Sequence, residues 1–161
     1  MKGSPEVEPE LISLSDNKDQ RSFVISAFMN GLYSVITQDL GSMNKAERGK
    51  FYSHAELLIK SLIENCRVEL AVVRGSPEDF LGFIIYQPMG DDLAVYWVYT
   101  KELFRRFGLA RWMINTKART KDKIFYRWMP EKKFKKWKKN HTEGCESCSE
   151  LLSKLRYHPT I

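Results

Sequence analysis

Hydrophobic positions along the chain follow two different periods, and the switch between them divides it. Leu11-Ile12-Ser13-Leu14 predicts a short first strand, ended by Ser15-Asp16-Asn17. From about Asp19, residues Phe23, Val24, Ala27, Phe28, Leu32 and Val35 recur at helical spacing, until Gly41-Ser42-Met43-Asn44 breaks the run. A second helix is expected from Lys45 to Glu64, with Phe51, Ala55, Leu58, Ile59, Leu62 and Ile63 in one stripe. The period then shortens to that of strands. Val68 to Val73, Phe80 to Gln87 and Leu93 to Thr100 are rich in β-branched and aromatic residues. Turns expected at Gly75–Asp79 and Pro88–Asp92 are short enough to make these three strands an antiparallel meander. A glycine turn follows, then a helix to about Thr120 and a fifth strand from Ile124 to Trp128. Pro130 stops that strand before a lysine-rich helix, Glu131 to Asn140. Residues 1–10 read as a loose polar arm, and residues 141–161 carry the weakest pattern. The layout is β-α-α-β-β-β-α-β-α with a short C-terminal extension, an α/β domain of mixed sheet and packed helices.

Length and composition fit one soluble domain spanning residues 1–161, large enough to bury a core. No apolar run approaches the ~20 residues of a membrane span, so no membrane role is expected. The first residues lack the apolar centre of a secretory signal, and three cysteines give no paired disulfide framework. A cytoplasmic setting is the expectation. The net charge of +6 hides an asymmetry. Lys101 to Lys139 holds fifteen Lys or Arg against three acids, a net +12, while the remainder is net −6. A positive excess confined to one segment points to a polyanionic ligand or partner.

That segment opens with Arg105-Arg106-Phe107-Gly108-Leu109-Ala110, an Arg-x-x-Gly-x-Ala run between a strand and a helix. A strand that turns at glycine into a helix N-terminus exposes unpaired N–H groups and the positive end of the helix dipole. Such a site suits phosphate or diphosphate. Gly108 lets backbone approach a ligand closely, and Arg105, Arg106 and Arg111 add charge. A basic connection with no ligand would carry the same residues.

Together, the order of elements and this turn resemble the GNAT superfamily of acyl-CoA N-acyltransferases over residues 11–130. The run Trp97 to Arg111 is similar to short GNAT-like proteins carried by tailed phages. The resemblance implies that Arg105, Arg106, Phe107, Gly108, Leu109, Ala110 and Arg111 hold the diphosphate of coenzyme A, the backbone amides being those of about Arg106 to Arg111. It also implies that the pantetheine arm lies along Trp97, Val98 and Tyr99. Acetyl-CoA would be the cosubstrate and an amine the acceptor, with no metal required. A base must then take a proton from the amine and an acid protonate the leaving thiolate. Residues 93–100 contain no carboxylate, a departure from the family pattern, so Glu69 and Asp92 stand as candidate bases and Tyr126 as candidate acid. The departure leaves a second class open: a catalytically diverged GNAT-fold binding protein.

The segment 131–161 carries two further constellations. Lys132, Lys133, Lys135, Lys136, Lys138 and Lys139 flank Phe134 and Trp137. The simplest expectation is two aromatics packed beneath a solvated lysine face, and the sharper one is nucleic-acid contact with an aromatic free to stack. His141, Cys145, Cys148 and His158 offer four zinc ligand types, but the His-Cys-Cys-His order is not that of a common finger, and free thiols in a polar tail are the expectation. His54 is expected to be an ordinary half-buried helix residue, and Cys66 to be buried at a helix end.

Overall fold

The computed structural model describes residues 7–126 and 154–157. Its elements are β1 (Pro9–Ser13), α1 (Lys18–Leu40), α2 (Lys45–Asn65), β2 (Arg67–Val73), β3 (Ser76–Met89), β4 (Asp92–Thr100), α3 (Leu109–Ala118), β5 (Ile124–Tyr126) and β6 (Leu155–Tyr157). A 3-10 turn at Glu102–Phe104 lies between β4 and α3. The class is α/β with a mixed sheet: β1 pairs antiparallel with β2, whereas β4 with β5 and β5 with β6 are parallel. The chain forms two compact units, Met1–Phe83 and Ile84–Ile161.

In the first unit, each helix begins where the sequence supplies a cap. The Asn17 side chain accepts from the amides of Asp19 and Gln20 at 2.8 and 3.2 Å. Asn44 and Glu47 form a reciprocal capping box at 2.9 Å in both directions, satisfying two amides that the first turn of α2 cannot. From α1, Val24, Ala27 and Phe28 reach the core; from α2, only Ala55 and Ile59 do. They join Val68, Leu70, Ala71 and Val72 of β2 and Leu81 and Phe83 of β3 among the buried residues. Phe23 stacks on Phe80 at 4.9 Å and meets Phe83 edge-on at 6.0 Å, worth roughly 0.5–1.5 kcal/mol per pair beyond area.

The second unit is built on β4, whose first residues Leu93, Ala94 and Val95 are almost wholly buried. They pair in parallel with Ile124, Phe125 and Tyr126 of β5. A parallel pair needs a crossover, and α3 supplies it, burying Leu109, Met113, Ile114 and Ala118. Three bonds pin the shared start of β4 and β5: Leu93 N–H to Lys123 O, Asp122 N–H to Asp91 O, and the Lys121 ammonium to Gly90 O.

Several boundaries differ from those expected. Pro9 and Glu10 belong to β1 and pair with Val73 and Val72, so the polar arm is shorter. The turns near 75 and 90 shrink to two residues, with Gly75 and Gly90 at positive φ, and β3 grows to 14 residues. Pro77 and Pro88 sit one residue inside its two ends, where a missing N–H is least disruptive. Leu58, expected in the core stripe of α2, is 47% exposed and Leu57 is 66% exposed, because α2 buries a single narrow line. His54 is exposed and Cys66 half-buried. The expected lysine-rich helix at 131–140 lies outside the described residues.

Candidate functional site

The site is assembled by the chain that leaves β4. Phe104 N–H bonds Lys101 O at 2.9 Å and Arg105 N–H bonds Glu102 O at 3.1 Å, winding one 3-10 turn. The Arg105 Nε then reaches back to Thr100 O at 3.3 Å, fastening this turn to the strand end. Arg106 follows at φ 72°, the one non-glycine residue at positive φ among those described. Gly108, at φ 77° and ψ 9°, is the N-cap of α3, and no side chain caps that helix. Trp112 N–H to Gly108 O, 2.9 Å, is the first helical bond.

This conformation has a direct chemical result. Among the described residues, the main-chain N–H groups of Arg106, Phe107, Gly108, Leu109 and Ala110 donate to no backbone carbonyl. Left-handed residues within a turn are a backbone from which anion-binding concavities are made, and Arg106 and Gly108 supply two of them on either side of Phe107. The helix dipole adds to it. Arg105 and Arg106 are exposed and in no ion pair among the described residues, and the Arg111 guanidinium lies against Gly108. A Cβ at Gly108 would meet that guanidinium at 3.2 Å. Amides, dipole and three arginines thus fit a diphosphate group, and no acidic side chain interrupts Arg105 to Arg111.

The other expected residues are distributed along β2, β4 and β5. On β4, Trp97 is buried and Val98 and Tyr99 are half-buried, running up to the turn. Tyr126 is fully buried on β5, beside Val95. Asp92 opens β4, and its Oδ1 accepts from Lys123 N–H at 3.1 Å. Eight residues at ~3.3 Å each put it about 26 Å along the strand from Thr100. The structure brings the seven turn residues and the end of β4 together; it puts Asp92 at the opposite end of β4. Glu69 lies in the first unit, half-buried on β2 opposite Ser13. Two features escaped the sequence reading: the left-handed Arg106, and Thr100, whose buried hydroxyl has no hydrogen bond among the described residues. Arginine at positive φ leaves no compositional signal, whereas a threonine ending a strand before a basic turn was visible. No group of three or more His, Cys, Asp or Glu suited to a metal occurs among the described residues. His141, Cys145, Cys148 and His158, and the six lysines of 132–139, lie outside the described residues.

No protein-family model and no curated protein matches the sequence. Solved structures do match. An assigned acetyltransferase from Pyrococcus furiosus superposes with a TM-score of 0.57 at 14% identity, over 86% of this chain and 95% of that one. The PaiA N-acetyltransferase from Thermoplasma acidophilum, in complex with coenzyme A, superposes with a TM-score of 0.52 at 13% identity, over 83% and 88%. The chain therefore shares the fold of these two acetyltransferase structures. An α/β fold with a mixed sheet was the class expected from the sequence.

Proposed function

We propose that this protein is an N-acyltransferase of the GNAT type that takes an acetyl group from acetyl-CoA to an amine. The observation that carries the reading is the backbone of Arg105–Ala110: a curl of amides with no backbone acceptor at the start of α3, ringed by arginines. It occurs in a fold that, in the Thermoplasma acidophilum enzyme, is seen with coenzyme A. The amides of Arg106 to Arg111 and the guanidinium groups of Arg105, Arg106 and Arg111 hold the diphosphate. The strand Trp97–Tyr99 aligns the pantetheine arm through its backbone. When bound, acyl-CoA supplies an activated carbonyl, and a strand N–H beside it stabilises the charge that develops on oxygen. For proton movement, Glu69 or Asp92 is the base and Tyr126 the acid in this reading. Asp92, bonded to Lys123 N–H about 26 Å from Thr100, is the weaker base candidate.

Thermal denaturation with and without acetyl-CoA tests binding, since a ligand that binds only the folded state raises the melting temperature. Stabilisation is expected for the wild type and is lost in Gly108→Glu and Arg105→Glu, which place a carboxylate in the curl. Thioester consumption over a panel of small, peptide and nucleobase amines then identifies the acceptor.

A second reading is favoured by one observation, that β4 from Leu93 to Thr100 carries neither carboxylate nor histidine. In it the chain is a GNAT-fold binding protein, phage-encoded in origin, contacting nucleic acid or a host protein through Lys132–Lys139. Acetyl-CoA stabilisation without turnover, together with polynucleotide binding that falls steeply with salt, would select it.

A further inference from the structure

Of the five large hydrophobic side chains exposed among the described residues, two are adjacent on α2: Leu57 at 66% and Leu58 at 47%. At ~100° per residue, Ala55 and Ile59, the residues that α2 buries, each lie about 160° round the helix from Leu57. Leu57 therefore points away from the core. A lone exposed leucine is ordinary on a protein surface, but the arrangement around this one is not. Four positions before and after it stand Ser53 and Ser61, and seven positions before and after it stand Lys50 and Glu64, all exposed. Those four lie within about 40° of the Leu57 direction. The five residues form one ridge, with leucine at its centre, small residues beside it and opposite charges at its ends.

Such a ridge is complementary to itself in reverse. Two copies of α2 laid antiparallel on a two-fold axis through Leu57 bring each residue opposite the one equally far beyond the axis. Leucine meets leucine, the serines let the backbones approach, and Lys50 of each copy faces Glu64 of the other. Neither Lys50 nor Glu64 is in an ion pair among the described residues. Ser53 Oγ donates to Gly49 O at 3.1 Å and Ser61 Oγ accepts from the Asn65 amide at 3.4 Å, so covering the serines orphans neither hydroxyl. His54 faces Lys60, whose charge Glu56 of the same helix holds at 2.7 Å. A parallel pair would instead set Lys50 against Lys50 and Glu64 against Glu64. We propose that this face of α2 is a self-association surface that pairs two copies of the chain antiparallel about Leu57. One side of a helix about 30 Å long and about 10 Å wide covers far less than the ~1,000 Å² of a permanent interface, so the dimer is of the weak, reversible kind. The surface shares no residue with the arginine turn.

The test is sedimentation equilibrium of the full chain between roughly 10 µM and 1 mM, where the wild type is expected to pass from monomer to dimer. Leu57→Asp, Lys50→Glu and Glu64→Lys, each alone, are expected to weaken association about tenfold or more. Because all three side chains are exposed, melting of these variants in dilute solution should match the wild type. The deciding sample is an equimolar mixture of Lys50→Glu with Glu64→Lys. Each variant alone sets like charges face to face, whereas one copy of each restores both ion pairs, so the mixture is expected to dimerise about as strongly as the wild type. The double variant Lys50→Glu/Glu64→Lys is expected to do the same. A wild type that stays monomeric to the top of that range overturns the proposal. So does a dimer that the single charge reversals leave unchanged, or that the mixture fails to restore. None of these outcomes touches the acyl-CoA reading.

Discussion

Gly108→Ala tests the backbone on which the site is built. Gly108 is held at φ 77°, where a residue with a Cβ costs roughly 1–2 kcal/mol. The new Cβ would also stand 3.2 Å from the Arg111 guanidinium, which is the far end of a flexible side chain and can swing aside at little cost. Each kcal/mol shifts melting by roughly 2–4 °C at this chain length, so Gly108→Ala should lower the melting temperature by roughly 2–8 °C. Gly49→Ala is the control of opposite sign. Gly49 lies within α2 with nothing inside 4 Å of an added Cβ, and Gly-to-Ala in a helix stabilises by roughly 0.5–1 kcal/mol. Its melting temperature should rise by roughly 1–4 °C. Differential scanning calorimetry on the three proteins reads both shifts, and acetyl-CoA stabilisation should fall in Gly108→Ala alone. A Gly108→Ala protein that melts with the wild type and retains full stabilisation would refute the claim that a left-handed residue shapes the curl.

Three further outcomes follow from the described packing. Ile59→Ala removes a fully buried side chain and should cost about 2–5 kcal/mol, whereas Leu57→Ala, at 66% exposure on the same helix, should stay within about 0.5 kcal/mol by urea denaturation. Asn44→Ala breaks both halves of the capping box and should cost about 1 kcal/mol, read the same way; a neutral result would mean that α2 does not start there. Burial pushes the Cys66 thiol up, so the folded state favours the protonated form. That contribution to stability is complete below the ordinary thiol pKa and fades as pH rises through the folded value. Near pH 8, peptide mapping after iodoacetamide should therefore show Cys66 alkylated more slowly than a free thiol; equal rates would contradict its burial.

The parts of this fold that announce themselves are those with a long period or a strong cap. The stripe of Val24, Ala27 and Phe28, the Asn44–Glu47 pair and the apolar run Leu93–Val95 each place an element without tertiary information. Turn lengths were misjudged because Pro77, Asp79 and Pro88 are turn formers by propensity. A two-residue connection with one positive-φ glycine nevertheless brings the flanking residues into strand. Exposure on α2 was misjudged because a helical stripe tells which side faces inward, not how wide the contact is. At the candidate site, the arginines and the glycine that opens α3 were legible. The left-handed Arg106 was not, since arginine has no preference for that region and only the surrounding chain enforces it. The exposure of Phe107 was equally hidden, because an aromatic in a basic turn reads the same whether it is covered or bare.

The three bonds that fasten Leu93, Asp122 and Lys121 make β4 a cantilever, clamped at its root and loaded at its tip by the arginine turn. On the proposed reading, the distance between clamp and tip is then a ruler for donor reach. Inserting two residues between Val95 and Thr100 would carry the cradle roughly 7 Å outward with every side chain on its original face. Inserting one would turn the outer half of the strand inside out. Chains of this fold that differ in the length of that arm should therefore differ in steps of two.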